Sequence, residues 1–155
     1  MSTPDDNWEL VAKSHKSARY AIGVAVLLVI VHVGLALSLH HGETGVYFRA
    51  ADQIAMATIG CALAGGVLLL TRPRVRVGKR GVAVRNILGE KIIDWDLFEG
   101  LSFPDGAAWA RVELPDDEYM PVMAIQSNDG ERAVDAVVKF RDIAERYAPA
   151  ANRNN

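Results

Sequence analysis

The sequence is poor in the residues that most enzymes use for covalent and metal chemistry. Cys61 is the one cysteine among 155 residues, so an internal disulfide and a cysteine-based zinc site are excluded. The last of the four histidines is His41, so no Ser/His/Asp or Cys/His set can form in the second half of the chain. The segment GKRG at 78–81 lacks the upstream glycine and the following Ser or Thr of a P-loop. We therefore expect no catalytic residues, no metal and no cofactor.

Basic residues are concentrated in one short stretch. The net charge is −2, but residues 86–155 carry fourteen acidic and seven basic residues, a balance of −7. Residues 71–85, TRPRVRVGKRGVAVR, carry six basic residues and no acidic one. A uniformly basic surface for nucleic acid is therefore absent. The acidic residues at 94–99 and 116–118 fall in predicted strands and turns, where carboxylates are normally solvated.

Two long apolar runs are present, and each predicts a membrane-spanning helix. The first lies in Ala18–His41 and the second in Ala51–Thr71, with apolar cores of nineteen and seventeen residues. At about 1.5 Å per residue, nineteen residues cover the roughly 30 Å hydrocarbon core of a bilayer, and seventeen lie at the short end of the spanning range. The first run is longer than a signal-peptide core of about 7–15 residues. We expect a two-helix hairpin over 20–71 with a short outer loop at 40–53, because helices satisfy their own backbone groups in lipid.

The distribution of Lys and Arg predicts the orientation of this hairpin. Lys13, Lys16 and Arg19 precede the first run, the loop contains Arg49, and six basic residues follow the second run. Because basic residues are retained on the cytoplasmic side, both termini are expected in the cytoplasm. The chain is then a two-pass protein of the cell membrane, with a cytoplasmic N-terminal segment at 1–19.

Polar side chains within and beside the first run are candidate contact residues. His32 lies near the middle of the run, and we expect it to make a hydrogen bond to a neighbouring helix; metal or haem ligation and proton relay are the alternatives. His40, His41 and Glu43 are expected at the outer membrane surface. Adjacent helical side chains point about 100° apart, which favours an interfacial role over a metal site. The roles of the three histidines stay open.

Small residues recur at four-residue spacing in the second run, and this spacing lets helices approach closely. The residues expected in helix packing are Ala57, Gly60, Cys61, Ala64 and Gly65. The simplest partner for them is the first span. Because the small residues cover more than one face of the helix, we expect a second face to dock on a larger membrane partner.

From residue 75 onward the apolar pattern alternates, which predicts half-buried strands. Five to seven short antiparallel strands fit between 75 and 126, separated by turns rich in Gly, Pro and Asp. Pro121 indicates an edge strand or a bulge. Expected alternations include Ile93, Trp95 and Leu97 on one side of a strand.

One amphipathic helix is predicted after the strands. Asn128 is its expected N-cap, with Glu131 in capping-box spacing. The apolar face is predicted to comprise Val134, Val137, Val138, Ile143 and Tyr147, with Phe140 at its border. A helix of this kind must bury its apolar face on the sheet, so the fold class is an α+β domain over 72–149, followed by a tail at 150–155.

This order of elements resembles a pleckstrin-homology-like (PH-like) domain, a bent antiparallel sheet closed by a C-terminal helix. The resemblance rests on RVRVGKRGVAVRN, on KIIDWDLFEGLSF with Ile93, Trp95, Phe98 and Leu101, and on ERAVDAVVKFRDIAERY. Nearly the whole chain after residue 18 is similar to actinobacterial membrane proteins with two helices followed by a bacterial PH domain. It is also similar to a small accessory subunit of actinobacterial cytochrome bcc–aa3 respiratory supercomplexes.

The resemblance implies a non-catalytic accessory protein that docks on or stabilises a membrane complex. The respiratory cytochrome bcc–aa3 oxidase is the sharpest candidate partner. The alternative is a membrane-anchored PH-like module that binds anionic lipid or a peptide partner in envelope growth or division.

The basic stretch is the candidate lipid-contact surface. The residues expected to contact the inner leaflet are Arg72, Arg74, Arg76, Lys79 and Arg80. Each cation near an anionic leaflet contributes roughly 1 kcal/mol of attraction. Eukaryotic PH domains bind inositol phosphates with a basic first-strand turn, and the resemblance places VGKRG at the corresponding position. A specific headgroup site and a protein partner for these cations are the alternatives to nonspecific lipid contact.

Overall fold

The computed structural model describes residues 8–38 and 49–148. The chain divides into two compact units. The sheet unit joins Met1–Lys16 to Arg72–Asn155, and the helical unit is Ser17–Thr71.

Two long helices account for the predicted hairpin. Helix α1 is His15–Ser38 and helix α2 is Ala50–Leu68, extended by a 3-10 turn at Leu69–Thr71. Both are long and apolar enough to cross a membrane. The second helix stops just before Pro73, because a proline disfavours helical backbone in the residue that precedes it. Most of the predicted outer loop, with His40, His41 and Glu43, lies outside the described residues, as does the tail at 150–155.

The described strands form two antiparallel sheets. The first sheet has the order β1 (Trp8–Ala12), β2 (Arg74–Gly78), β3 (Gly81–Arg85) and β4 (Glu90–Ile93). The second has the order β5 (Gly100–Ser102), β6 (Trp109–Glu113) and β7 (Tyr119–Gln126). Helix α3 follows at Glu131–Tyr147. Six strands thus lie between residues 74 and 126, in agreement with the expected five to seven, and Pro121 lies on an edge strand as expected.

Strand β1 corrects the predicted domain boundaries. Residues 1–19 are predicted as a segment separate from the domain, but Trp8–Ala12 pairs with β2, with Trp8 opposite Gly78 and Ala12 opposite Val75. A five-residue strand beside polar residues gives too little periodicity to be recognised from sequence. The sheet unit is therefore discontinuous in the chain, and both helices are inserted between its first two strands.

The predicted single sheet, closed by a helix, is also corrected. The strands form two separate ladders, and the sheet is not closed. The break follows β4, where Trp95–Leu97 forms a 3-10 turn instead of continuing the strand. Trp95 is buried, but Leu97 is 51% exposed, so the expected alternation ends at Leu97.

The core lies between the sheets and α3, and it contains the residues that carry the PH-like resemblance. Ile93, Trp95, Phe98 and Leu101 are all buried. The Trp95 and Phe98 rings meet edge to face with centroids 5.3 Å apart, and Phe98 stacks on Phe140 at 5.8 Å. The expected strand alternation is confirmed in β2 and β6, where the buried residues are Val75, Val77, Ala110 and Val112. Strand β3 does not alternate, because Ala83 is buried as well as Val82 and Val84.

The turn between β2 and β3 has only two residues, Lys79 and Arg80, and it depends on a glycine. Gly81 has φ of +135°, a conformation that side chains with a Cβ rarely adopt. A Cβ at this position would also overlap the carbonyl oxygen of Ile93 on the neighbouring strand.

Helix α3 begins later than predicted, and the side of the helix that is buried differs from the predicted one. Its N-cap is Gly130, because the expected cap Asn128 is part of a 3-10 turn. Phe140, predicted at the border, is fully buried at the centre of the inward face, whereas Val134 and Val138 are 61% and 52% exposed. At about 100° per residue, Val138 lies roughly 160° around the helix from Phe140. The valines widen the apolar arc of α3 beyond the side that the sheets cover.

The 3-10 turn before α3 also contacts the beginning of α1. The backbone N–H of Lys16 donates a 3.0 Å hydrogen bond to Oδ1 of Asp129, which is buried. The first N–H groups of a helix have no partner within the helix, so this carboxylate caps α1 from a distant part of the chain.

Candidate functional site

The arginines of β2 form a cluster with one carboxylate. Arg74 and Arg76 project from the same side of β2, and both pair with Glu90 on β4. Arg74 Nη2 lies 3.3 Å from Glu90 Oε2. The Arg76 guanidinium also lies 4.9 Å from the ring centroid of Trp8. Two of the five predicted leaflet contacts are therefore held within the sheet unit and partly neutralised there.

The two arginines stabilise the charged form of Glu90. Partial burial by itself raises the pKa of Glu90, but hydrogen bonds and charge from Arg76 and Arg74 outweigh the burial, so the net pKa lies below the ordinary value. Glu90 is thus an anion at neutral pH, which keeps both arginines on this face.

The other three predicted contacts, Arg72, Lys79 and Arg80, are exposed. Lys79 lies at the far end of β2 from Arg74, about 17 Å away at strand spacing. The predicted basic surface is therefore divided into separate parts. The segment VGKRG joins β2 to β3, the second and third strands of the sheet unit, and its likeness to the first-strand turn of eukaryotic PH domains stays a prediction.

His32 on α1 packs against Gly60 on α2. A Cβ on Gly60 would overlap Cβ of His32, so only glycine allows this packing. His32 donates a hydrogen bond from Nδ1 to the carbonyl of Leu28 at 2.8 Å. This bond lies within α1, whereas the expected one reaches a neighbouring helix.

The small residues of α2 divide between two faces. Gly60 and Ala64 are its buried residues. Ala57 is half-buried, whereas Cys61 and Gly65 are exposed. A Cβ added to Gly65 would meet no atom within 4 Å. One small-residue face of α2 is therefore packed, and another is open.

A second polar cluster joins β1 to the end of α3. Glu9 accepts hydrogen bonds from the Tyr147 hydroxyl at 2.6 Å and from Arg146 Nη2 at 2.7 Å. The Tyr147 hydrogen bond is the main cause that lowers the pKa of Glu9, and Arg146 adds to it. The same bond raises the pKa of Tyr147. These contacts cross more than 130 positions of sequence, so periodicity gives no sign of them.

A third cluster lies on the second sheet. Glu113 accepts a hydrogen bond from the Ser102 hydroxyl and a 2.6 Å hydrogen bond from Arg111 Nε. Ser102 is the main cause of a lowered pKa at Glu113. Arg111 also lies over the Tyr119 ring, 5.0 Å from its centroid. These contacts join neighbouring strands β5 and β6 and hold the side chains on the sheet.

Comparison with known proteins assigns most of the sheet unit to a family. Residues 72–143 match the bacterial PH domain family. An uncharacterized protein of Mycobacterium tuberculosis is 46% identical over 149 residues, which cover 96% of this chain and 97% of that protein.

The chain belongs to the bacterial PH-domain family.

A Mycobacterium bovis protein matches this PH-domain protein to the same extent. The low molecular weight protein antigen 6 of M. tuberculosis is 33% identical over 70 residues, 45% of this chain and 59% of that protein. No solved structure matches the chain.

The acidic residues at 94–99 and 116–117 of this PH-domain protein lie in exposed segments and a turn. Asp94, Asp96 and Glu99 are exposed. Asp116 and Asp117 have φ of 63° and 58°, as in a tight turn. Within residues 8–38 and 49–148, no group of three His, Cys, Asp or Glu side chains is placed to hold a metal ion.

Proposed function

We propose that this protein is a non-catalytic, two-pass membrane protein that docks on or stabilises a membrane protein complex, with its PH-like domain on the cytoplasmic face. The surface of the helical unit carries the proposal. Its large apolar side chains point outward, with Ile30 62% and Ile54 67% exposed, while its buried residues are alanines and a glycine. An apolar surface of this extent requires lipid or another protein around it.

The pairing of β1 with β2 supports a hairpin topology. Ala12 lies opposite Val75 in one sheet, so the chain before α1 and the chain after α2 belong on one side of a membrane. Basic residues flank both of these ends, which favours the cytoplasmic side.

The open face of α2 supports docking. Cys61 and Gly65 are exposed, and small side chains let a further helix approach closely. The sequence resemblance favours the respiratory cytochrome bcc–aa3 oxidase as the partner to test first.

Extraction in a mild detergent, followed by native electrophoresis and haem staining, tests this proposal. We expect the chain to migrate with a large haem-containing complex. Gly65→Leu should release it, because the new side chain fills the open face of α2 without a clash inside the hairpin. Gly34→Leu, which also has open space around it, is the control on α1. Migration of the unaltered chain alone at its own 16.9 kDa would contradict the accessory role.

A second candidate function is recognition of an anionic lipid or a peptide by the PH-like domain, in envelope growth or division. Exposed cations beside the start of α1 favour it: Lys13, Arg132 and Lys139. A preference of the solubilised full chain for anionic over zwitterionic lipid would distinguish this function from docking alone.

A further inference from the structure

A pocket of about 200 Å³ lies in the sheet unit between the end of β1 and α3. Its floor is apolar and includes Leu10, Ile125 and Ala133. Basic side chains line its rim: Lys13, His15, Arg132 and Lys139. The pocket thus combines an apolar floor with a cationic edge.

The cations come from two elements that face each other across this pocket. Arg132 and Lys139 are seven residues apart, so they lie on the same side of α3, about 10 Å apart along its axis. Lys13 follows β1 directly and lines the same pocket. In the described part of the chain, none of these three residues forms an ion pair or hydrogen bond through its side chain, and all three are exposed.

Two carboxylates also line the pocket, Asp129 and Asp135. Asp129 accepts the hydrogen bond from the Lys16 backbone. Asp135 lies three residues after Arg132 and four before Lys139, so its charge opposes an anion on this side of α3. The three cations and two carboxylates that line the pocket leave it with a formal charge of +1.

We propose that this pocket binds the phosphate group of an anionic ligand, held by Lys13, Arg132 and Lys139. Arg and Lys are the side chains that bind phosphate most strongly, and unpaired ones require no existing ion pair to be broken. The apolar floor suits a ligand that has an apolar part beside its phosphate. Lys13 and His15 also precede the apolar run of α1 by only a few residues, so we expect these two side chains near the headgroup layer. An anionic phospholipid is therefore the expected source, an inference that rests on the proposed membrane insertion of α1.

The predicted basic stretch is a poorer candidate for the same ligand. Arg74 and Arg76 are engaged with Glu90, and Lys79 and Arg80 lie at the opposite end of β2. The stretch nevertheless provides a control with the same number of charges, because Arg72, Lys79 and Arg80 are exposed.

Native mass spectrometry of the full chain in a nonionic detergent tests the site. Added phosphatidylglycerol should remain bound, whereas phosphatidylcholine should not. In the triple variant Lys13→Gln, Arg132→Gln, Lys139→Gln, we expect binding to weaken by more than tenfold. The basis is a loss of about fivefold per cation, the change that corresponds to roughly 1 kcal/mol.

The matched control is the triple variant Arg72→Gln, Lys79→Gln, Arg80→Gln. It removes three charges as well. Because a nonionic micelle offers these residues no anionic leaflet, we expect phosphatidylglycerol binding at the pocket to change by less than twofold. Equal losses in both triple variants would overturn the pocket, because they would show attraction by overall charge alone.

A variant that is expected to bind more tightly provides a test that misfolding cannot mimic. Asp135→Asn deletes the opposing carboxylate, and we expect about fivefold tighter binding of phosphatidylglycerol. No gain, in a variant whose circular dichroism matches that of the unaltered chain, would contradict the proposal.

Competition with inorganic phosphate distinguishes a small phosphate compound from a phospholipid as the ligand of the pocket. Competition by millimolar phosphate would assign the pocket to a small phosphate compound, and absence of competition with retained phosphatidylglycerol would assign it to lipid. Binding of neither would overturn the proposal. The docking function is measured separately: comigration of the Lys13/Arg132/Lys139 variant with haem-containing complexes would show that failure of the pocket leaves docking intact.

Discussion

The sheet unit buries its large apolar side chains, whereas the helical unit exposes most of its own. In the sheet unit the largest fully buried side chains are those of Phe140, Ile93 and Ile125, packed between two sheets and a helix. In the helical unit the buried residues are small, and nearly all the large aliphatic residues face outward. The sheet unit is thus stabilised by its own core. The helical unit has only a narrow internal contact, and it requires an apolar environment supplied from outside.

Removing a large core side chain should show this contrast most strongly. Phe140→Ala is expected to lower the free energy of unfolding of the sheet unit by about 3–5 kcal/mol, because it leaves a cavity beside Phe98. Val138→Ala, on the exposed side of the same helix, should change it by less than about 0.5 kcal/mol. Urea unfolding of the full chain in detergent, followed by tryptophan fluorescence, measures both variants. A similar cost at the two positions would contradict the helix orientation.

The narrow contact within the helical unit can be broken at one glycine. Gly60→Leu should destabilise the hairpin by about 1–3 kcal/mol, because its side chain would overlap His32. Gly65→Leu on the same helix is the matched control, since open space surrounds Gly65. Thermal melting in detergent, followed by circular dichroism at 222 nm, compares the two. Equal melting curves would mean that α1 and α2 do not pack at Gly60.

The cap that Asp129 places on α1 is expected to contribute less. Asp129→Ala should destabilise the sheet unit by about 1 kcal/mol, because the Lys16 amide loses its partner. Asp129→Asn keeps an acceptor oxygen and should recover most of the loss. Urea unfolding again measures the change. If the Asn variant were as unstable as the Ala variant, the contribution of Asp129 would be its charge and not the cap.

The smallest effect concerns pH. Glu9, Glu90 and Glu113 have lowered pKa values in the folded chain, so the unfolded chain binds more protons near the ordinary value of 4.5. Their contribution to stability is present above that value and is lost as the pH falls through the lower, folded pKa. The melting temperature should therefore fall from about pH 5.5 to about pH 3.5. Glu90→Gln should make this fall shallower, and an unchanged pH dependence would show that the arginine cluster contributes nothing.

Most of the secondary structure follows from local patterns in the sequence. The two apolar runs and the alternation at Val75, Val77 and Val112 are local signals, and the helices and strands appear where these signals are. The orientation of α3 about its axis is not determined by the local sequence pattern. Val134 and Val138 are as apolar as the buried residues, and only the position of the sheets decides which side of the helix is covered.

Contacts between distant positions explain what the sequence does not reveal. Strand β1 needs β2, more than sixty residues later, to be a strand at all. Glu9 meets Tyr147, and Asp129 meets Lys16, across the inserted helices. The basic stretch was predicted as one surface because its residues are adjacent in sequence, but Glu90 holds only two of its arginines. The cationic pocket, in contrast, unites Lys13 with α3, which no local pattern joins.

The insertion of a membrane hairpin between β1 and β2 requires both strands to lie on the same side of the membrane. Thiol labelling with an impermeant reagent in intact cells tests this directly, using single cysteines in a Cys61→Ala background. Lys13→Cys and Lys79→Cys should both be protected until the cells are opened, and Ala50→Cys, at the start of α2, should be labelled from outside. Labelling of Lys13→Cys and Lys79→Cys from opposite sides of the membrane would contradict the pairing of β1 with β2 and, with it, the account.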